Sequence, residues 1–335
     1  MFANNSISMK IKGLLILSYL LLFHGEIVAN APLHFSQQFA MPMQLNPAFA
    51  GTKPFARLSF GYRTQFFPGL DAFQSAHFSI DNYTASTMGG LGLQVVRDVQ
   101  ANLLQTNHIG GIYSLHLQLT HNLFMNLGLE AAILNKSLNW NNLIFADQFN
   151  LLTGEILPIN EPIIESSLWV PNFATGVLLF NERFFGGLAI HNLNRPNISF
   201  HGTPVRMPLH YKFHVGTTIS IGQTTRRNRP DESFFVAPNI IFHLRGVYRM
   251  INYGLHAGFK NASAGIWIRQ DFRLPETIIF LIALDTGNLR ISYSYDHSLS
   301  SLYGLNQGAH EVGIRFSFFT DNKKPRENII NCRGF

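Results

Sequence analysis

A single cysteine, Cys332, in 335 residues excludes an intramolecular disulfide, so oxidative stapling holds nothing in this chain together. Charge is scarce as well: Asp, Glu, Lys and Arg make up 13% of the residues, against about 25% in ordinary globular proteins. Long hydrophobic runs are missing beyond Phe23. The longest, Ile278 to Leu284 (IIFLIAL), falls far short of the ~20 residues a spanning helix needs and suits a strand in apolar surroundings. Nor does a cysteine follow the N-terminal apolar stretch where a lipoprotein requires one. Against these absences stand 13% aromatic residues, with 30 Phe. Few charges, many aromatics and no spanning helix are hard to reconcile with a soluble domain of this size. They fit a sheet with one face in lipid.

The N-terminus is built for export. Lys10 and Lys12 precede an apolar core, Gly13 to Phe23, and the small residues Val28-Ala29-Asn30-Ala31 follow it. This describes a secretory signal peptide over residues 1–29, cleaved near Ala29 or Ala31, with Pro32 making the later site the poorer one. As a membrane anchor the core is too short. The net charge of +6 is spread thinly, with small clusters at Arg226-Arg227-Asn228-Arg229 and Lys323-Lys324-Pro325-Arg326. Clusters this small beside lipid-facing strands mark a membrane interface rather than a nucleic-acid surface.

From Phe55 to Phe319 the pattern is alternation. Near the end, Val312, Ile314 and Phe316 point one way while Glu311, Gly313, Arg315 and Ser317 point the other. At the start, Leu58, Phe60 and Tyr62 oppose Arg57, Ser59, Gly61 and Arg63. Tyr211 to Ile221 alternates throughout. Period two with two chemically different faces is the mark of strands, and its repetition along the chain predicts a single antiparallel transmembrane barrel of about 14 strands over residues 55–319. Residues 30–54 are expected to form a periplasmic lead-in segment, and 320–335 a basic C-terminal tail. With the N-terminus in the periplasm, the short turns at Thr120-His121-Asn122, Asn181-Glu182-Arg183, Lys260-Asn261 and Thr286-Gly287-Asn288 fall on the periplasmic side. The long links Asn141 to Pro171 and Asn194 to Leu209 fall outside. Gly222 to Ser233, a long basic link on the turn side, is the exception.

Several stretches resemble the PorP/SprF family of outer-membrane proteins from Bacteroidetes type IX secretion systems. They are Leu45-Asn46-Pro47-Ala48-Phe49-Ala50-Gly51, Arg63-Thr64-Gln65-Phe66, Gly90-Leu91-Gly92-Leu93, and Gly186-Gly187-Leu188-Ala189-Ile190-His191-Asn192. Further on come Ala264-Gly265-Ile266-Trp267-Ile268-Arg269, then Tyr293-Ser294-Tyr295-Asp296-His297-Ser298 with Gly308-Ala309-His310-Glu311, the most specific pair. The resemblance implies a non-enzymatic barrel in the outer membrane of a Gram-negative bacterium, acting in type IX secretion or gliding motility. Its implied partners are outer-membrane lipid, secreted proteins with C-terminal sorting domains, and periplasmic secretion or gliding components. The alternative is a transport channel for small or hydrophobic solutes, for which His34 to Pro54 looks short as a plug.

Asn46 and Pro47 belong either to a docking element or plug, or, as favoured, to a lead-in closing the barrel bottom. Asp296, Ser298, Ser300, His310 and Glu311 resemble a hydrolase cluster, but His310 and Glu311 are adjacent and so face opposite sides, leaving a capped external loop as the better reading. The inward histidines His77, His116, His191, His214, His243 and His256 lack metal-ligand spacing and are expected to fill a polar lumen. Arg57, Arg63, Lys212, Arg245 and Arg269 are expected to form lumen charge pairs with groups such as Glu130 and Asp81. No catalytic residue, cofactor or metal is expected. Contact with partners is expected at Asn46, Pro47, Trp140, Phe145, Trp169, Asp296, His310 and Glu311, above all along the apolar loop Asn141 to Pro171.

Overall fold

A strand in lipid has no water to satisfy its edges, so a sheet of this kind must close on itself. A computed structural model shows that it does. It describes residues 35–53, 55–67, 70–140, 167–200, 202–221, 234–271, 275–299 and 308–318. The signal peptide, the basic link 222–233, Phe145, Ser300 and the C-terminal tail lie outside the described residues.

The strands are β1 (Ala56–Phe67), β2 (Leu70–Thr84), β3 (Gly89–Gln100), β4 (Leu104–Thr120), β5 (Leu123–Leu138), β6 (Ser167–Phe180), β7 (Phe184–His191), β8 (His210–Thr217), β9 (Ile219–Ile221), β10 (Phe234–Arg245), β11 (Tyr248–Phe259), β12 (Ala262–Asp271), β13 (Pro275–Thr286), β14 (Leu289–Ser298) and β15 (Ala309–Phe318). Successive strands pair antiparallel, with β8 and β9 both on β10, and β15 closes on β1 from Ala56↔Phe318 to Gln65↔Ala309.

Segments β8 and β9 are one barrel strand, so the barrel has 14. The stretch Tyr211 to Ile221, expected to be continuous, is interrupted at Thr218. Both halves keep one register on β10, Asn239↔Gly216 and Val236↔Ile219, and the ladder lapses between them at Pro238. Proline has no N–H to donate there.

Outward positions carry Leu93, Leu129, Val215, Leu255, Ile282 and Ile314, all well exposed, which makes the outer surface an apolar belt. Leu129 projects from the middle of β5 and is 60% exposed. Leu129→Arg is therefore expected to destabilise the folded barrel in lipid vesicles by about 2–4 kcal/mol. A denaturant midpoint unchanged from wild type would place this face outside the hydrocarbon.

The strand ends fall into two sets. At the end where β1 begins and β15 finishes, the described connections are short, among them Lys260-Asn261 and Gly287-Asn288. Gly287 has φ +60°, the left-handed conformation a two-residue hairpin demands. The opposite end carries the longer links, 139–166, 192–209 and 299–308. The first is shorter than expected because β6 starts at Ser167. Leu168, Trp169, Val170 and Pro171 are strand residues paired with β5, not loop.

Candidate functional site

The interior of the barrel is occupied by the chain's own N-terminal segment. Residues 30–54 are expected to close the barrel bottom as a lead-in, with a plug entering the barrel as the alternative; the described part, 35–53, runs down the inside of the wall, as the alternative has it. The segment begins near the long-loop end, where Ser36 meets Arg63, Arg269 and Asp296. It passes through the one-turn helix α1 (Pro42–Leu45) and a 3-10 turn (Pro47–Phe49). It reaches the short-turn end at Gly51, whose N–H donates to Asp81 Oδ2 at 2.8 Å.

Irregular backbone at membrane depth is tolerable only where protein satisfies its polar groups. The inward polar residues of the wall do this. Lys212 Nζ donates to Gln44 O at 2.5 Å, and His191 Nε2 to Leu45 O at 3.4 Å. Ser114 Oγ and Asn126 Nδ2 both donate to Ala48 O at 3.1 Å, and His116 Nε2 donates to Ala50 O at 2.9 Å. Carbonyls only accept, so His116 and His191 carry a proton on Nε2. In His214, by contrast, Nε2 accepts from Asn46 Nδ2 at 3.1 Å.

Asn46 is the pivot of the segment. Its extended backbone (φ −152°, ψ 124°) is what the following proline favours. Its Oδ1 caps the 3-10 turn by accepting from Ala48 N, while Nδ2 donates to Val177 O at 3.0 Å on β6. Pro47 starts the turn, where a missing N–H costs nothing. Both residues are buried within the barrel.

Glycines in the inward phase form the seats. A Cβ on Gly128 would lie 2.2 Å from Ala48 N, one on Gly90 2.1 Å from Ala50 O, and one on Gly176 1.9 Å from Asn46 Oδ1. Gly61 and Gly92 likewise make room for Met41 and Met43. The inward apolar residues Phe124, Leu178, Phe180, Phe185, Trp267 and Ile279 pack with Phe39, Leu45, Ala48 and Phe49 of the segment into one core. The lumen is thus not uniformly polar, as the alternation suggested. It is a packed interior with polar groups where the inserted backbone needs partners.

Two buried charge groups fasten the segment's ends. At the short-turn end, Arg57 is 1% exposed and holds Asp81 in a fork, Nε to Oδ1 at 2.8 Å and Nη2 to Oδ2 at 3.0 Å. Near the other end, Arg63 and Arg269 lie 2.8 and 3.1 Å from Asp296 Oδ2. There Glu311, with no exposed surface, accepts the backbone N–H of Ser36 at 2.7 Å and of Gln37 at 3.0 Å. Asp296 and Ser298 were expected in an external loop; they are inward residues of β14 because that strand continues to Ser298. Asp296 and Glu311 serve a contact inside the chain. His310, on the opposite face, lies exposed with its Nδ1 2.7 Å from Tyr293 Oη.

Residues 27–316 match the family described as type IX secretion system membrane protein PorP/SprF. The chain belongs to this family. A PorP/SprF barrel with an apolar belt resides in the outer membrane, where closed barrels of this kind are found. Among solved structures, the Pseudomonas putida toluene transporter TodX is similar at 12% identity, covering 87% of this chain and 95% of that one with a TM-score of 0.45. The KdgM porin is similar at 11% identity, covering 78% of this chain and 99% of that one with a TM-score of 0.34. No curated protein matches.

Of the expected lumen pairs in this PorP/SprF barrel, Arg57 with Asp81 is present. Glu130 takes other partners: Gln94 Nε2 at 2.6 Å and His108 Nε2 at 3.4 Å. The glycine seats have a signal in the sequence. Gly61, Gly92, Gly128, Gly176 and Gly313 all occupy inward positions of otherwise well-patterned strands, where a glycine marks a close approach, by backbone at Gly128 and by side chains at the other four. Trp169 is 64% exposed on the outer face of β6 near the long-loop end, where aromatic side chains anchor barrels at the membrane boundary. Trp140 follows the end of β5 at the same end.

Proposed function

We propose that this protein is a non-enzymatic component of type IX secretion that works through its two ends rather than through its lumen. In this reading it retains or presents secreted proteins with C-terminal sorting domains at the cell surface, and its short-turn end contacts periplasmic secretion or gliding machinery. The observation that carries the proposal is the filled interior. A segment seated on wall glycines and hydrogen-bonded to strands around the barrel leaves no path for a folded protein, so cargo must be handled outside the wall. The long-loop end, with Trp140 and Trp169 flanking the connection 141–166, is the surface offered to that cargo.

Crosslinked co-purification of the tagged protein from native envelopes tests this. Recovery of a large secreted protein bearing a sorting domain, or of periplasmic secretion subunits, is the expected result. A barrel that comes out alone in repeated trials would overturn the reading and leave the transport channel to be tested by uptake assays.

A further inference from the structure

The register of β14 on β15 sets Arg290 directly opposite Arg315, both in the inward phase. Like charges at directly opposed positions repel. Arg290 has a carboxylate, Asp285, at 3.4 Å, and weaker contacts to His256 Nε2 at 3.4 Å and Ser263 Oγ at 3.5 Å. Asp285 is 41% exposed on its side chain, so it is a partly hydrated partner. Arg315 makes no hydrogen bond, and no ion pair within 4.0 Å, among the described residues. Asp81, the next carboxylate along the inner wall, is engaged by Arg57 and Gly51. Two guanidinium groups thus face each other across the strand pair, and Arg315 has no carboxylate within 4.0 Å among the described residues.

These guanidinium groups face a cavity of about 30 Å³ between residues 36–40 of the inserted segment and the wall. Its lining includes Arg290, Arg315, Ser292, His256, Gln37 and Trp267. That is room for one or two particles the size of water, and too little for a peptide carboxylate or a lipid headgroup. Trp267, Leu281 and Phe39 add apolar surface beside the polar Ser36, Gln38 and Asn239, and that surface strengthens charge interactions next to it. Guanidinium N–H groups only donate, and Ser292 Oγ is already turned to Gln37 Oε1 at 2.5 Å, so the species the cavity suits is one that only accepts.

We propose that Arg290 and Arg315 bind a small inorganic anion of chloride size in this cavity. The anion relieves the cross-strand repulsion and ties the inserted segment to the β14–β15 wall, so its occupancy stabilises the filled state of the barrel.

The experiment is thermal unfolding of the full-length protein in detergent micelles, with sodium chloride exchanged for sodium gluconate at constant ionic strength. Gluconate is too large for the cavity. For the wild type, the unfolding temperature should rise with chloride and saturate; for Arg315→Gln it should not respond. Heat-modifiable mobility on gels confirms that each variant is folded, and Arg290→Gln is the second variant. Chloride-35 line broadening on the wild type gives a readout that needs no variant. A wild type indifferent to chloride in both measurements, or a folded Arg315→Gln protein that keeps the full response, overturns the proposal.

Discussion

Gly128→Val is expected to expel the N-terminal segment from the barrel and turn a silent protein into a conducting one. A Cβ at this position would sit 2.2 Å from Ala48 N, 2.5 Å from Pro47 C and 2.7 Å from Ala48 Cα, all backbone atoms with no rotamer to swing away. Real Cβ contacts essentially never fall below 3.0 Å, so either the wall or the segment must move. The wall is a closed hydrogen-bonded ladder, Gly128 pairing with Ser114 on one side and Gly176 on the other. The segment has no ladder of its own: it is held by apolar packing and by hydrogen bonds worth about 1 kcal/mol net each, or about 1.5–3 kcal/mol where a charged group takes part, and it yields first. Planar-bilayer recordings should show stepwise openings for the variant and a flat baseline for the wild type. Gly111→Ala is the control: its nearest neighbour would be Ala131 O at 4.0 Å, and it should behave as wild type. A folded Gly128→Val barrel that stays silent would mean that the segment is not what closes the lumen.

Asp296→Ala is expected to cost about 3–5 kcal/mol of stability, the usual penalty for removing one partner of a buried ion pair. The carboxylate is 3% exposed and serves Arg63, Arg269 and Ser36 together. Without it Glu311, 3.5 Å from Arg63, is the only other acidic group paired to either arginine among the described residues. One guanidinium is left buried without a counter-charge. Asp296→Asn keeps an acceptor for Ser36 Oγ and should lose less. Urea unfolding in lipid vesicles, followed by tryptophan fluorescence, measures both variants. An Asp296→Ala midpoint within error of wild type would show that the cluster contributes no stability and that water reaches the arginines. Because Ser36 also hangs from this cluster, the same variant should loosen the start of the inserted segment, visible as protease cleavage near Phe35 in the folded barrel.

The barrel itself was legible residue by residue. Strict alternation at Phe60, Tyr62, Phe78 and Ile80 on the outside, against Ser59, Arg63, Ser75 and His77 on the inside, allows only a strand with one lipid face. What alternation could not show was the break at Thr218, because the pattern continues across it and the cause sits on another strand at Pro238. Nor could it place Asp296. The polar residues Asp296 and Ser298 read as a turn until the register Thr277↔Ser298 and Asp296↔Ala309 put them inside paired strands. Trp169 is a strand residue for the same reason: β6 begins ahead of Phe173, at Ser167, because β5 is there to pair with it.

Local chemistry acting over two or three residues was therefore written in the sequence: the lipid-facing phase, the short turns, and the family likeness at Asn46-Pro47-Ala48 and Asp296 to Glu311. The tertiary structure alone decided where residues 35–53 go. A segment that mixes apolar and polar residues with neither the strand nor the helix period has no pattern to announce its place. Its position follows from sites far apart in the chain, namely the seats at Gly90, Gly128 and Gly176, the donors at Ser114, Asn126, His116 and Lys212, and the carboxylates at Asp81, Asp296 and Glu311. Those residues converge only once the sheet has closed, because it is closure that brings the inward faces of opposite walls within hydrogen-bond reach of one strand of backbone.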